Sequence, residues 1–168
     1  MNNKTAAPYY YASGERVALE PDADHVALDL GAAPARSRSK TAAAMPRSEL
    51  QQRGRMLNDS VLLVTGAAPA GHASLQLPVF RSGSTLLVAL PEVRVEDDDP
   101  ESLRRLHAWL AAGPGRAEVT GQGPGRITLR AGPAYGHDGV TLAREVVERC
   151  GVQSASPRLL RVTPGPKR

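Results

Sequence analysis

A single cysteine, Cys150, stands in 168 residues, so no intrachain disulfide forms and a small secreted scaffold stapled by bridges is excluded. Aromatic residues are scarce at 4%, and three of the four tyrosines cluster at positions 9–11. That leaves few rings for the base-stacking platforms on which RNA-recognition modules depend. No apolar run approaches the roughly 18 residues of a membrane span, and residues 1–12 contain no apolar signal core. A cytoplasmic protein without signal peptide or transmembrane segment is expected.

Clusters that carry chemistry are missing as well. His25, His72, His107 and His137 show no metal-ligand spacing with one another or with Cys150. Ser82 and Ser84 lack the glycine-flanked elbow of a serine nucleophile. The glycines of residues 66–71 have phosphate-loop spacing, but His72 and Ala73 replace the Lys and Ser/Thr that would meet phosphate and magnesium. Gly121, Gly123 and Gly125 resemble a dinucleotide fingerprint only superficially, because they join two predicted strands instead of opening a helix. Cys150 falls on the apolar face of a predicted helix near its C-terminal end, where the dipole disfavours a thiolate; a buried structural thiol is expected. The reading is a non-enzyme with no cofactor and no metal.

Hydrophobic residues make up 41%, enough for a core, while 16 Gly and 14 Pro predict many turns. The formal charge is +4, carried by 18 Arg and only 3 Lys against 17 acidic residues. These charges come in blocks. Residues 15–29 and 92–101 are acidic, whereas 36–55 and the segment after 157 are basic. Such segregation suits protein contacts at least as well as nucleic acid.

Short alternating strands are predicted within 8–30, followed by linker composition at 31–46 and a short helix from Ser48 to Leu57, with Ser48 as cap and Leu50 and Leu57 on one face. Residues 61–65 read as an apolar strand, and Ser82-Gly-Ser84 as the turn of a hairpin. Two β-α-β units in tandem then span 91–163. Their strands are 91–95, 116–120, 126–130 and 158–162, and their helices 100–112 and 138–150. Asp99 followed by Pro100 caps the first helix; Leu103, Leu106, Trp109 and Leu110 form its stripe. Asp138 caps the second, with Val140, Ala143, Val147 and Cys150 on one face and Gly151 ending it.

The predicted fold class is therefore α+β: a ferredoxin-like β-α-β-β-α-β antiparallel sheet with two helices on one face, preceded by a β-rich N-terminal extension. The predicted organisation is a β-rich region over 1–66, a hairpin connection over 67–90 and the ferredoxin-like domain with a basic tail over 91–168. In its strands Val93, Val95, Val119, Ile127 and Leu129 alternate with polar residues, the pattern of a sheet covered on one side. The uncovered face is expected to carry Arg94, Glu96, Glu118, Thr120, Thr128 and Arg130, and reads either as a solvated face or as a docking platform.

Several stretches together resemble the N-terminal prodomain of bacterial subtilisin-like serine proteases. They are Tyr9-Tyr-Tyr-Ala-Ser-Gly-Glu-Arg-Val-Ala-Leu-Glu-Pro-Asp22, Leu77-Pro-Val-Phe-Arg81, Glu92-Val-Arg-Val95, the helix ending in Trp109-Leu-Ala111, and a closing run from Leu142 through Gly151-Val152 to Ala155-Ser-Pro157. The resemblance covers most of the chain except 31–58; Ser156 stands where the family usually has Glu. The protease's own Asp, His and Ser motifs have no counterpart. The resemblance implies a prodomain-like protein that docks on a subtilisin-like serine protease as folding chaperone, inhibitor or both. It also implies that the segment Val162, Thr163, Pro164, Gly165, Pro166, Lys167 and Arg168 is partner-binding, lying as an added strand in the protease cleft. Pro164 and Pro166 keep that segment extended, and Arg168 would enter the first specificity pocket; read from its residues alone, the tail is equally a frayed basic terminus. Two alternatives stand beside this reading: a non-inhibitory regulatory or assembly subunit, and, more weakly, nucleic-acid binding through the basic 36–55 segment.

Overall fold

The structure is a computed structural model that describes residues 7–31, 47–68 and 75–163. In chain order the first half contains β1 (Tyr9–Ala12), β2 (Glu15–Ala18), β3 (Glu20–Pro21), β4 (His25–Asp29), α1 (Arg47–Gln52), β5 (Gly54–Met56), β6 (Val61–Thr65), β7 (Leu75–Leu77) and β8 (Val79–Ser82). The second half contains β9 (Thr85–Glu96), α2 (Pro100–Ala112), β10 (Ala117–Gly123), β11 (Arg126–Ala131), a 3-10 turn at Pro133–Tyr135, α3 (Gly139–Cys150) and β12 (Ser154–Val162). These elements fall into two compact units, one of residues 1–21 with 89–159, the other of 22–88 with 160–168.

The ferredoxin-like expectation is corrected by this architecture. Among the described residues there are twelve strands, and the chain is mainly antiparallel β. In the first unit the sheet runs β10-β11-β9-β12-β1-β2, so it continues past the four strands of the tandem units. In the second, a separate four-stranded sheet has the order β5-β6-β4-β7. The physical reason lies in residues 8–30 and 54–82. Their strands are only two to five residues long and read as an appendage, yet β1 adds to the β12 edge, with Tyr11 opposite Ala155, and β4 to β7 enclose a core of their own.

In the first unit the two helices begin as their sequence dictates. Asp99 caps α2, accepting the Glu101 N–H at 3.0 Å, with Pro100 at the first helical position. Asp138 caps α3 by accepting from Val140 N–H at 2.9 Å and from the Thr141 hydroxyl at 2.7 Å. Gly151 ends α3 in the left-handed region at φ 68°, which glycine adopts without penalty. The buried stripe of α3 is Val140, Leu142, Ala143, Val146 and Cys150; Val147 is only partly buried at its margin. Of these, Leu142, Ala143, Val146 and Cys150 pack with Leu106 of α2 against Val93, Val95, Ile127 and Leu129 of the sheet. Such interlocked aliphatic groups each contribute about 1.5–3 kcal/mol on burial.

The hairpin of β1 and β2 is fastened to α3 by side chains. The phenols of Tyr9 and Tyr11 donate to Glu148 Oε1 at 2.7 and 3.3 Å, and the guanidinium of Arg16 lies 3.6 Å from the Tyr9 ring centre. Cation–π contact of that kind adds to the edge pairing.

In the second unit β4 is central, paired with β6 on one side and β7 on the other. Leu28, Leu50, Leu62 and Val64 make its core. The helix predicted from Ser48 to Leu57 is shorter, ending at Gln52, and Ser48 lies inside it. Gly54 already belongs to β5, opposite Val64 of β6. A β-carbon at Gly54 would collide with the Leu63 carbonyl oxygen, so the backbone there must leave the helix to pair closely with β6. The hairpin at residues 82–85 forms as its turn signal indicates, with Ser82 opposite Thr85 and Gly83 at φ 59°. Among the described residues no helix is long and apolar enough to cross a membrane.

Candidate functional site

Pairing between β9 and β11 sorts side chains by parity. Ile127 faces Val95 and Leu129 faces Val93, all four nearly inaccessible, on the side covered by the helices. Between them Arg126 lies opposite Glu96, Thr128 opposite Arg94 and Arg130 opposite Glu92, all turned to the other side. β10 extends this second face by setting Glu118 opposite Arg130. A bulge between Val119 and Gly121 then brings Thr120 and Gly121 together beside Thr128. The Thr120 hydroxyl donates to the Thr128 carbonyl at 3.4 Å.

The face is a lattice of mixed charge. Arg94 meets Glu96 at 2.7 Å, Arg126 approaches the same carboxylate at 3.9 Å, and Arg158 lies 3.7 Å from Glu92. Arg94, Glu96 and Arg126 each keep about half of their side-chain surface in solvent. Exposed pairs of this kind stabilise a fold by about 0–1 kcal/mol, so they are exchangeable for the charges of a partner at small cost. A groove of about 540 Å³ crosses the face between Glu92, Arg94, Thr120, Thr128, Pro157 and Arg158.

The six sheet residues predicted from sequence, Arg94, Glu96, Glu118, Thr120, Thr128 and Arg130, all belong to three adjacent strands of the first unit. Glu92, Arg126 and Arg158 join them. The first two share the parity of their neighbours, a signal present in the alternation itself. Val119, expected on the apolar side, is 40% exposed, because β10 is the outermost strand of the sheet.

The predicted tail divides. Val162 is 7% exposed, and the Thr163 carbonyl accepts from Arg55 Nη1 at 3.3 Å; both belong to the second unit. Pro164, Gly165, Pro166, Lys167 and Arg168 lie outside the described residues, as do His72, most of the 31–46 linker and the second half of the 66–71 glycine loop.

Among the described residues no group of three His, Cys, Asp or Glu side chains is placed to hold a metal. Cys150 is 2% exposed, and burial pushes its thiol up from the ordinary cysteine value. Gly121, Gly123 and Gly125 lie in the β10–β11 hairpin, with Gly125 at φ 63°. His107 is exposed on α2. His137, at φ 59°, has its Nδ1 3.1 Å from the Ala131 carbonyl oxygen. Comparison with protein-family models, curated proteins and solved structures finds no match to the chain.

Proposed function

We propose that this chain is a non-catalytic docking protein that binds a subtilisin-like serine protease through the uncovered face of the β9–β11 sheet. The observation that carries the reading is the composition of that face: a broad strand surface of paired, half-exposed charges and small hydroxyl groups, backed by a well-packed helical layer. Rigid support lowers the ordering cost of association, and mixed charge confers register and selectivity. The protease as partner class rests on the resemblance of the sequence to subtilase prodomains.

The test is titration of a subtilisin-like protease with the purified chain, reading complex formation by calorimetry and proteolysis of a peptide substrate. A saturable one-to-one complex that is lost in the double variant Arg94→Glu, Arg130→Glu supports the proposal. Absence of a complex with any subtilisin-like protease encoded beside the chain sinks it.

One observation favours a second reading, a regulatory subunit that binds without inhibiting. Val162 is buried, and Arg55 holds the Thr163 carbonyl, so these two residues serve the fold rather than a cleft elsewhere. Under that reading, deletion of residues 164–168 leaves both complex formation and protease activity unchanged.

A further inference from the structure

The second unit contains a pocket of about 280 Å³ that has no part in the docking face. Its floor is apolar, made by Leu63 and Val162, both under a tenth exposed, and by half-buried Leu86. His25, Arg55, Arg81 and Ser84 supply the polar rim.

The charges of this rim are not all compensated. The Asp22 side chain, wholly shielded from solvent, accepts from Arg81 Nε at 3.1 Å and lies 2.8 Å from His25 Nδ1. Burial alone would push this carboxyl up, but the hydrogen bonds from Arg81 and His25 outweigh it and hold the group below the usual carboxylate range. Asp22 therefore remains an anion engaged by Arg81, by His25 and by the Asp24 N–H at 3.2 Å, while Arg81 also reaches the Asp24 carboxylate at 3.3 Å. Arg55 differs. No carboxylate lies within ion-pair reach of it among the described residues, and its single hydrogen bond runs to the Thr163 carbonyl. That bond fixes the guanidinium at the rim while most of its N–H groups stay open. The Ser84 hydroxyl and His25 Nε2, on the ring edge away from Asp22, likewise have no partner among the described residues.

We propose that this pocket binds a small carboxylate bearing an apolar group. Arg55 grips the carboxylate with its planar fork, Ser84 and His25 Nε2 offer further polar contacts, and Leu63, Leu86 and Val162 receive the apolar group. An arginine fork matches the two oxygens of a carboxylate. One guanidinium without an ion-pair partner among the described residues, near the two carboxylates that share Arg81, suits a monoanion better than a phosphate dianion. The volume of about 280 Å³ lies just below the range of drug-sized ligand sites, which begins at about 300 Å³, and so admits only a small ligand, and the floor would repel one that is polar throughout. The carboxylate can come from a free acid or from the C-terminus of a peptide with an apolar last residue.

The experiment is a methyl NMR titration of the full chain, following Leu63, Leu86 and Val162. The probes are 4-methylpentanoate, its neutral amide, and the peptide Ala-Ala-Leu with a free or an amidated C-terminus. Saturable shifts with the acid at about millimolar affinity, at least about tenfold weaker binding of the amide, and a similar loss in Arg55→Gln are expected. Tighter binding of free Ala-Ala-Leu than of 4-methylpentanoate assigns the site to peptide termini; the reverse order assigns it to free acids. Arg55 is exposed, so the variant's unliganded methyl spectrum should match the parent and report an intact fold. Equal binding of acid and amide, no saturable shift with any probe, or undiminished affinity in Arg55→Gln overturns the proposal.

Discussion

Arg94 and Glu96, two positions apart on β9, close an ion pair at 2.7 Å on the side of the sheet turned away from the helices. Their parity places both on one face, and between them Val95 points the opposite way into the core with no exposed surface. One strand thus puts Val93 and Val95 into the core and Arg94 and Glu96 on the open face.

If that division holds, charge reversal on the face should separate binding from folding. Arg94→Glu with Arg130→Glu should change unfolding free energy by less than about 1 kcal/mol, measured by urea denaturation. A loss well beyond that would mean that the face supports the fold and is not reserved for a partner.

Asp22 gives the second unit a pH-dependent brace. Its folded carboxyl lies below the ordinary value of 3.8, so the stability it contributes is present above that value and is lost as pH falls through the lower, folded one. Asp22→Asn should therefore be less stable than the parent at neutral pH, with the gap narrowing steadily below about pH 4. Paired urea titrations across that range would reveal the convergence; a constant gap would contradict it.

The cap of α3 lends itself to a direct measurement. Removing the Asp138 carboxylate leaves the N–H of Val140 without its acceptor, and Asp138→Ala should cost about 1 kcal/mol. Hydrogen exchange should accelerate first in the opening turn of α3.

Gly54 tests the short-helix geometry. In Gly54→Ala the new methyl meets the Leu63 carbonyl, and forcing the two strands apart should destabilise the protein by about 1–3 kcal/mol. Thermal unfolding would detect this as a clear fall in Tm. An unchanged Tm would show that β5 does not approach β6 so closely.

The buried thiol supplies a probe of native integrity. Cys150 is 2% exposed with its thiol pushed up by burial, so a disulfide reagent at neutral pH should label it only at the rate of unfolding. Fast labelling of the native chain would exclude the packing of α3 described above.

Helices α2 and α3 are legible in the sequence because cap, stripe and stop agree: Asp99 with Pro100, and Asp138 with Gly151. The open face of the sheet is legible through alternation alone, which is why Thr128 and Arg130 are found at once. Arg158 is not, because its place depends on β12 lying next to β9. The path from α1 to β5 misleads, since Leu50 and Leu57 have helical spacing while Gly54 obeys a contact made by a distant strand. The extent of the sheets escapes for a related reason. Strands such as β1 show in the local alternation, but their place in a sheet is decided by partners far away in sequence, as Tyr11 with Ala155. The carboxylate pocket has no linear signature at all. Positions 25, 55, 81–86 and 162 meet only after β4 pairs with β6 and β8 with β9.

Each of the two units takes material from both sides of a long excursion: residues 1–21 wait for 89–159, and 22–88 wait for 160–168. A chain emerging from the ribosome cannot finish either unit before its last strand has been made. Completion of both units is thereby deferred until β12 has been made, with the early strands held open in the meantime. Long-range closure of this kind slows folding and leaves edge strands exposed to wrong partners in the interval.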